Sequence, residues 1–177
     1  MVGTRYHFVT TMRFAADGDR LWDVLDDPEA WPTWWRWLRS VAVLEEGDAT
    51  GIGKTVRNEV ATPLGYRLTY YGTTRHRRER NLLEFDATGD LVGQGQFRSG
   101  SNSEHTTEIV FNWLVETPKW WMNLAARLAR PVFAWNHNRL MSDFALGLAG
   151  AAGGSLIEVS NEAIRPDRPE FYQLPGT

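Results

Sequence analysis

Acid–base chemistry in this sequence would fall most naturally to His137. This residue lies on one stripe of a predicted C-terminal helix, between Phe133 and Leu140. A neutral imidazole in that setting could hydrogen-bond a ligand or act as a base near neutral pH. Sequence spacing places no acidic partner beside it. A histidine that simply packs in the core or on the helix surface is therefore the competing and plainer interpretation.

Three other polar side chains could orient a mostly apolar ligand. Asn58 lies between Val56 and Val60 on a predicted inward strand face, Tyr70 lies on the next predicted strand, and Asn136 lies on the C-terminal helix. A tyrosine hydroxyl in a pocket can donate to a carbonyl or enolate oxygen. Cross-strand packing with the hydroxyl in water, and an amide that faces a polar loop, stay open as alternatives.

Metal and cofactor chemistry is not indicated. The histidines, which are His7, His76, His105 and His137, are scattered without metal-ligand spacing. The sequence contains no nucleophile-elbow, zinc-protease or phosphate-loop motif. We therefore predict no metal site and no cofactor.

Charged and glycine-rich strings are open to a structural explanation. Glu84 and Asp86 share one predicted strand face, about 7 Å apart by strand rise, which a two-carboxylate enzyme could use but which also fits a solvated outer face. The basic run at 75–80 could contact an anionic headgroup or form a solvated hairpin end. Gly93 and Gly95 lie inside a predicted strand without the remainder of a dinucleotide loop, so they indicate the close approach of a helix or a ligand, that is, helix packing or cavity space.

The composition is that of one globular domain. The chain has 177 residues, of which 42% are hydrophobic, 12% aromatic and 23% charged, with nine tryptophans. A net charge of −3 argues against broad nucleic-acid binding, which needs a basic surface. Cysteine is absent from the sequence, which excludes disulfides and thiolate chemistry and fits a reducing compartment.

Targeting and membrane signals are also missing from the sequence. The N-terminal residues lack the pattern of a signal peptide, and no run approaches the about 20 apolar residues of a membrane-spanning helix. We therefore expect a cytoplasmic protein without stable membrane insertion. The sequence leaves the oligomeric state open, a homodimer included.

The elements that would position these residues follow a simple order. A strand is predicted over Tyr6–Phe14, then a helix from about Arg20, capped by Asp17 or Asp19. About six short strands separated by turns follow between residues 41 and 116, which favours an antiparallel meander. Alternation along the last of them places Trp113 on the inward face.

After residue 118 the hydrophobic period becomes helical again. Two helical pieces are predicted, bent at Arg130–Pro131 and ended by the glycines of 150–154. A lone antiparallel sheet must bury one face, and this C-terminal helix is the element large enough to cover it. Residues 1–150 are assigned to one domain. Residues 151–177 are predicted to form a largely irregular tail, with at most a short strand at Leu156–Val159.

Four tryptophans fall within the seven residues WPTWWRW. Trp31, Trp34, Trp35 and Leu38 recur at the spacing of one helical face, so we predict a short second helix with a packed aromatic side. Trp37 lies off this face and is expected to be partly exposed or near a cavity mouth. A membrane anchor and a stacking platform for sugars or bases are the alternatives, and a membrane anchor usually has a longer basic amphipathic helix.

Three strings, DRLWDVLDDPEAWPTW, GDLVGQGQF and RPVFAWNHNRLMSDFALGLA, carry a family resemblance. Over roughly Tyr6 to Ala149 the chain resembles the START/Bet v-like superfamily (SRPBCC), and more narrowly its polyketide cyclase/dehydrase and lipid-transport branch. The resemblance implies an α+β helix-grip fold for residues 1–150. In that fold a curved antiparallel sheet of about seven strands surrounds a long C-terminal helix, with two short helices after strand 1.

The resemblance also implies a deep apolar pocket under the C-terminal helix. We expect it to bind a small hydrophobic ligand, such as a polyketide, lipid or aromatic metabolite, and the implied reaction is cyclisation or dehydration of a poly-β-keto chain. A non-catalytic carrier or sensor, or a partner-binding protein with a filled cavity, are the alternatives. The candidate catalytic residues are His137 and Tyr70. The candidate ligand-binding residues are Asn58, Tyr70, Trp113, Phe133, Asn136, His137, Leu140 and Trp34.

Overall fold

A computed structural model describes residues 5–100, 103, 106–116 and 126–176, and its frame is one antiparallel sheet. The strands are β1 (Arg5–Ala15), β2 (Leu38–Glu45), β3 (Thr55–Ala61), β4 (Arg67–Arg78), β5 (Leu82–Gly89), β6 (Val92–Ser99), β7 (Thr107–Glu116) and β8 (Ser155–Ile164). Their order across the sheet is β2-β3-β4-β5-β6-β7-β1-β8. The predicted meander is confirmed as β2 to β7, and β1 joins it beside β7.

Alternation along β7 decides which face of the sheet is the inner one. Thr107, Ile109, Phe111, Trp113 and Val115 are all buried, as the sequence predicted for one side of this strand. Most of them belong to the hydrophobic core that the sheet shares with the helices. The inner face is therefore apolar and rich in aromatic rings.

Two short helices follow β1 and close one end of the sheet. Helix α1 (Gly18–Leu25) begins after Asp17, whose carboxylate accepts a hydrogen bond from the Asp19 amide at 2.8 Å. A 3-10 turn (Pro28–Ala30) leads directly into helix α2 (Trp31–Trp34). Both predicted helices are thus present, and Asp17 is the capping residue.

The second helix is shorter than its sequence spacing predicted. The backbone of Trp35 is already extended, and Leu38 begins β2, so the predicted helical face does not reach Leu38. The Trp37 carbonyl accepts a hydrogen bond from the Ala61 amide of β3 at 2.8 Å. Pairing with the sheet therefore replaces the hydrogen bonds that would have continued the helix.

The long C-terminal helix is α3 (Ala126–Ala151). It is one helix with Pro131 inside it, whereas the sequence predicted a second piece with Pro131 in its first turn. Pro131 is only the sixth residue of α3, so the missing amide removes a single backbone hydrogen bond near the helix start. Residues 119–125 of the predicted first piece lie outside the described residues. No helix in the described part of the chain is long and apolar enough to cross a bilayer.

The C-terminal tail is more ordered than predicted. Strand β8 pairs with β1 from Ser155 to Ile164, well beyond the short strand expected, and it covers an edge of β1 that would otherwise be unpaired. The residues after β8 cross the outer face of the sheet, where the Gln96 amide donates to the Pro175 carbonyl at 2.8 Å. The expectation of an irregular tail is thus corrected, and the sheet gains an eighth strand.

Candidate ligand-binding site

A small apolar chamber lies between the inner face of the sheet and α3. It has a volume of about 90 Å³, and its walls are almost entirely aromatic and aliphatic. The lining residues are Trp31, Trp35, Val60, Leu68, Tyr70, Phe85, Leu91, Phe97, Phe111, Trp113, His137, Leu140, Met141 and Phe144. We call this space the apolar chamber. Tyr70, Trp113, His137 and Leu140 of the predicted site residues lie together in its wall.

A second chamber of about 80 Å³ adjoins the first. The two share Trp31, Tyr70, Phe85 and Phe97 as lining residues. The other residues around the second space are Leu25, Asp26, Pro28, Lys54, Val56, Asn58, Gly72, Thr74, Arg77 and Leu83. Because three charged side chains are among them, we call it the polar chamber.

Phe85 occupies its place between the chambers because Gly95 lies opposite it. The two residues pair across β5 and β6, and a Cβ atom at position 95 would overlap the Phe85 ring. Gly95 therefore makes room for the Phe85 ring of the neighbouring strand, whereas the sequence predicted space for a helix or for a cavity. Gly93 serves a different end, since a Cβ atom there would overlap the backbone of Leu114 in the neighbouring strand.

Tyr70 presents a phenol where the two chambers meet. Its ring centre lies 5.7 Å from that of Trp113. Burial raises the pKa of the Tyr70 hydroxyl well above its ordinary value, so the hydroxyl is protonated at neutral pH. It has no hydrogen-bond partner among the described residues. The hydroxyl can therefore donate to an oxygen atom of a ligand.

His137 lies in the wall of the apolar chamber, as the stripe on the predicted helix suggested. Its ring stacks on Phe8 with centres 4.2 Å apart, and its Nε2 atom lies 3.4 Å from the Thr10 hydroxyl. The Thr10 hydroxyl in turn donates to the Asn161 side chain in β8 at 2.7 Å. Burial lowers the pKa of His137 to about 3. The imidazole is consequently neutral near pH 7 and is a weak base.

Asn58 lines the polar chamber rather than the apolar one. Its side chain is buried, and its amide donates to the Val56 carbonyl at 3.2 Å. On the same chamber wall Arg77 of β4 forms an ion pair with Asp26, the residue that ends α1. Burial raises the pKa of Asp26, and Arg77 acts in the opposite direction. This ion pair ties α1 to the sheet beside the chamber.

Three of the predicted ligand-binding residues do not line either chamber. Phe133 packs edge-on against Tyr6 with ring centres 5.6 Å apart. Asn136 is buried and donates to the Tyr66 hydroxyl at 3.3 Å. Trp34 packs against Phe144 outside the chamber wall.

The tryptophan cluster forms a packed shoulder around one phenylalanine of α3. Trp31, Trp34 and Trp35 place their ring centres 5.7, 5.3 and 5.1 Å from that of Phe144. The Trp35 indole donates to the Leu140 carbonyl at 3.1 Å. Trp37 is partly exposed, as expected from its position off the predicted face. Trp31 and Trp35 also line the apolar chamber, so the shoulder is one of its walls.

Several lining residues were not singled out by the sequence. The sequence around Phe85 indicates a strand but no binding role, and its pairing with Gly95 appears only when β5 and β6 are aligned. Arg77 belongs to the basic run that was predicted to fall in a turn, yet it lies in β4 and faces α1. Glu84 and Asp86, by contrast, lie away from both chambers, and Asp86 pairs with the exposed Arg75 at 3.2 Å.

Comparison with solved structures supports the fold. The chain is similar to the Zhui aromatase/cyclase from Streptomyces sp. R1128, with a TM-score of 0.69 and 21% identity over 85% of this chain and 94% of that one. It is also similar to a START superfamily protein from Mycobacterium smegmatis, with a TM-score of 0.67 and 17% identity over 83% of this chain and 97% of that one. For a major latex-like protein from Panax ginseng the TM-score is 0.58 and the identity 11%, over 81% of this chain and 97% of that one. At these identities the likeness establishes the helix-grip fold and no activity.

The family assignment comes from the sequence. No curated protein matched the chain at a significant level. The profile described as polyketide cyclase / dehydrase and lipid transport matches residues 15–145, which is most of the chain and includes β2 to β7 and the larger part of α3. The chain therefore belongs to the polyketide cyclase / dehydrase and lipid transport family.

Proposed function

We propose that this protein binds a small hydrophobic ligand, a polyketide, lipid or aromatic metabolite, in the two adjoining chambers. The observation that carries the proposal is the apolar chamber itself, which holds unfilled space inside an otherwise packed aromatic core. Protein interiors contain few voids larger than a water molecule, because each void costs packing contacts. The wall chemistry suits flat or branched apolar groups.

The polar groups of the wall are few, and two are neutral hydrogen-bonding groups. Tyr70 offers a protonated hydroxyl at the junction of the chambers, and His137 offers a neutral imidazole beside Thr10. Such groups orient a ligand that has one or two oxygen atoms. They support recognition of a carbonyl or hydroxyl group within an otherwise apolar molecule.

The size of the chambers limits what fits in this conformation. Their volumes of about 90 and about 80 Å³ are below the roughly 300 Å³ of a typical ligand pocket. A ligand of two fused rings matches this space better than an extended chain does. A longer polyketide or lipid would require the aromatic wall to move apart.

Cyclisation or dehydration of a poly-β-keto chain is the second candidate function, favoured by the Tyr70 hydroxyl. In such a reaction an enolate carbon attacks a ketone carbonyl and one water is lost, and a phenol can donate to the developing oxyanion. His137 with a pKa of about 3 is poorly matched to take a proton near pH 7. His137 is therefore proposed to form a hydrogen bond with the ligand, and ligand binding is favoured over catalysis as the function.

Native mass spectrometry and thermal unfolding test this proposal together. We expect a hydrophobic molecule to co-purify, or 2-naphthol or another compound of a hydrophobic panel to raise Tm by roughly 5 to 10 °C at about 100 times its Kd. No bound mass and no rise in Tm across the panel would contradict the proposal. Incubation with a poly-β-keto analogue separates the two candidates, since an enzyme releases a product lighter by one water and a carrier releases the compound unchanged.

A further inference from the structure

We infer that the polar chamber is the binding site for the carboxylate of an amphipathic ligand, with Lys54 as its cationic partner. This inference rests on the proposed function, because the apolar part of the same molecule would occupy the apolar chamber. No motif or spacing in the sequence distinguishes Lys54. Its position is visible only when the start of β3 is seen beside α1 and β4.

The backbone holds Lys54 firmly at the chamber wall. The Lys54 carbonyl accepts a hydrogen bond from the Thr74 amide of β4 at 2.9 Å, and the neighbouring Gly53 amide donates to the Thr74 carbonyl at 2.8 Å. The Lys54 side chain is only 24% exposed. Both hydrogen bonds join this part of the backbone to β4, so the Cα atom of Lys54 is held in place beside the polar chamber.

The charges around the polar chamber do not balance. Two cations, Lys54 and Arg77, line it, and Asp26 is the only carboxylate among the described lining residues. Asp26 is already engaged by Arg77 in an ion pair. Burial raises the pKa of the Asp26 carboxyl group, and the positive charges of Arg77 and, more weakly, Lys54 act in the opposite direction.

The partner that Lys54 does have is a weak one. Its ammonium lies 3.7 Å from the carboxylate of Glu46, whose side chain is 81% exposed. An ion pair with one member so fully in solvent contributes little. A partly buried cation with only such a partner can gain from a carboxylate placed inside the chamber, because a desolvated charge needs a counter-charge nearby.

The other groups around the two chambers fix the orientation of such a ligand. The apolar chamber has no charged side chain among its described lining residues, so a carboxylate there would be left without a counter-ion. Asn58 and Thr74 line the polar chamber together with Lys54. The aromatic part therefore points towards α3, and the acidic group points towards Lys54.

The test compares 2-naphthoic acid with 2-naphthamide, which have the same rings but different charge at pH 7. Affinities are measured by tryptophan fluorescence, since Trp31 lines both chambers. The wild-type protein should bind the acid at least about 10-fold more tightly than the amide. In Lys54→Met this preference should fall to near one, and Lys54→Arg should keep most of it because the charge is retained.

Arg75→Met is the matched control. Arg75 is 54% exposed and pairs with Asp86 away from both chambers, so its removal takes away one positive charge at a distance from the site. The acid preference should survive in this variant. If Arg75→Met loses the preference as completely as Lys54→Met does, the preference comes from the overall charge of the protein, and the inference of a carboxylate site at Lys54 is wrong.

Failure of this inference is distinguishable from failure of the proposed function. Equal binding of the acid and the amide by the wild-type protein, or an unchanged preference in Lys54→Met, overturns the carboxylate site and leaves hydrophobic binding standing. Binding of neither compound overturns both. Because the acid–amide comparison in the wild-type protein needs no variant, the inference stays falsifiable even where Lys54→Met does not fold.

Discussion

At the residue scale, the chemistry of the cavity comes from polar groups whose ionisation the surrounding apolar wall opposes. Burial raises the pKa of Tyr70 and lowers that of His137, and both shifts favour the neutral form. Neutral donors and acceptors in an apolar space recognise ligand oxygen atoms without a large desolvation cost. Both groups therefore suit the proposed role in ligand recognition.

His137 should make the stability of the fold depend on pH. Its pKa is about 3 in the folded protein and near 6.5 when unfolded, so the unfolded state binds more protons between these values. Stability is therefore full above about pH 6.5 and is lost as the pH falls towards 3. Between pH 7 and pH 5 we expect His137 to account for a loss of about 2 kcal/mol in unfolding free energy.

Urea unfolding at both pH values, in wild type and in His137→Asn, measures this contribution. The comparison of variants is needed because burial also lowers the pKa of His7, which gives stability the same pH dependence. The difference between the two proteins should shrink by about 2 kcal/mol as the pH is lowered. An equal pH dependence in both would mean that His137 is not held in its neutral form.

At the element scale, the position of α3 over the sheet depends on a close approach to α2. Gly147 of α3 faces the backbone of Trp34, and a Cβ atom there would overlap the Trp34 carbonyl oxygen. The absence of a side chain thus lets the tryptophan shoulder pack directly on the long helix. The chamber wall formed by Trp31 and Trp35 follows from this contact.

Gly147→Ala should destabilise the protein in spite of the better helix propensity of alanine. Moving the α2 backbone costs typically 1 to 3 kcal/mol, and the gain in propensity offsets at most about 1 kcal/mol. Gly150→Ala, three residues later in the same helix, has open space around its Cβ position and should be neutral or stabilising by up to about 1 kcal/mol. Chemical denaturation of both variants checks this, and equal effects would refute the close approach of α2 and α3.

The elements themselves were largely readable from the sequence, because periodicity and turn chemistry act locally. The meander and the inward face of β7 were predicted correctly, and Asp17 is one of the two capping candidates that the sequence offered. Errors arose where a tertiary contact overrides local spacing. The helix expected to reach Leu38 ends early because the Trp37 carbonyl pairs with β3, and β8 extends far along the tail because β1 offers it an edge.

At the scale of the whole molecule, the cavity lies where the curved sheet and the long helix α3 do not fill the space between them completely. Which residues line that space depends on distant pairings. Tyr70, Trp113, His137 and Leu140 could be anticipated from strand parity and the helix stripe. Lys54 and Arg77 could not, because they enter the site through the approach of α1 to β3 and β4, which leaves no trace in the local sequence pattern.

The central claim is that a ligand occupies the space between the sheet and α3, and a paired substitution in α3 tests it most directly. Leu140 lines the apolar chamber, whereas Leu146 in the same helix is 58% exposed. Leu140→Trp should fill the chamber, and Leu146→Trp adds the same bulk on the surface.

Isothermal titration calorimetry with 2-naphthol is the measurement, on variants shown by circular dichroism to be folded. The account predicts that Leu140→Trp weakens binding at least about 10-fold, which is about 1.4 kcal/mol, and that Leu146→Trp binds like wild type. Binding by Leu140→Trp that is as tight as that of the wild-type protein would contradict the account, because the ligand would then lie elsewhere.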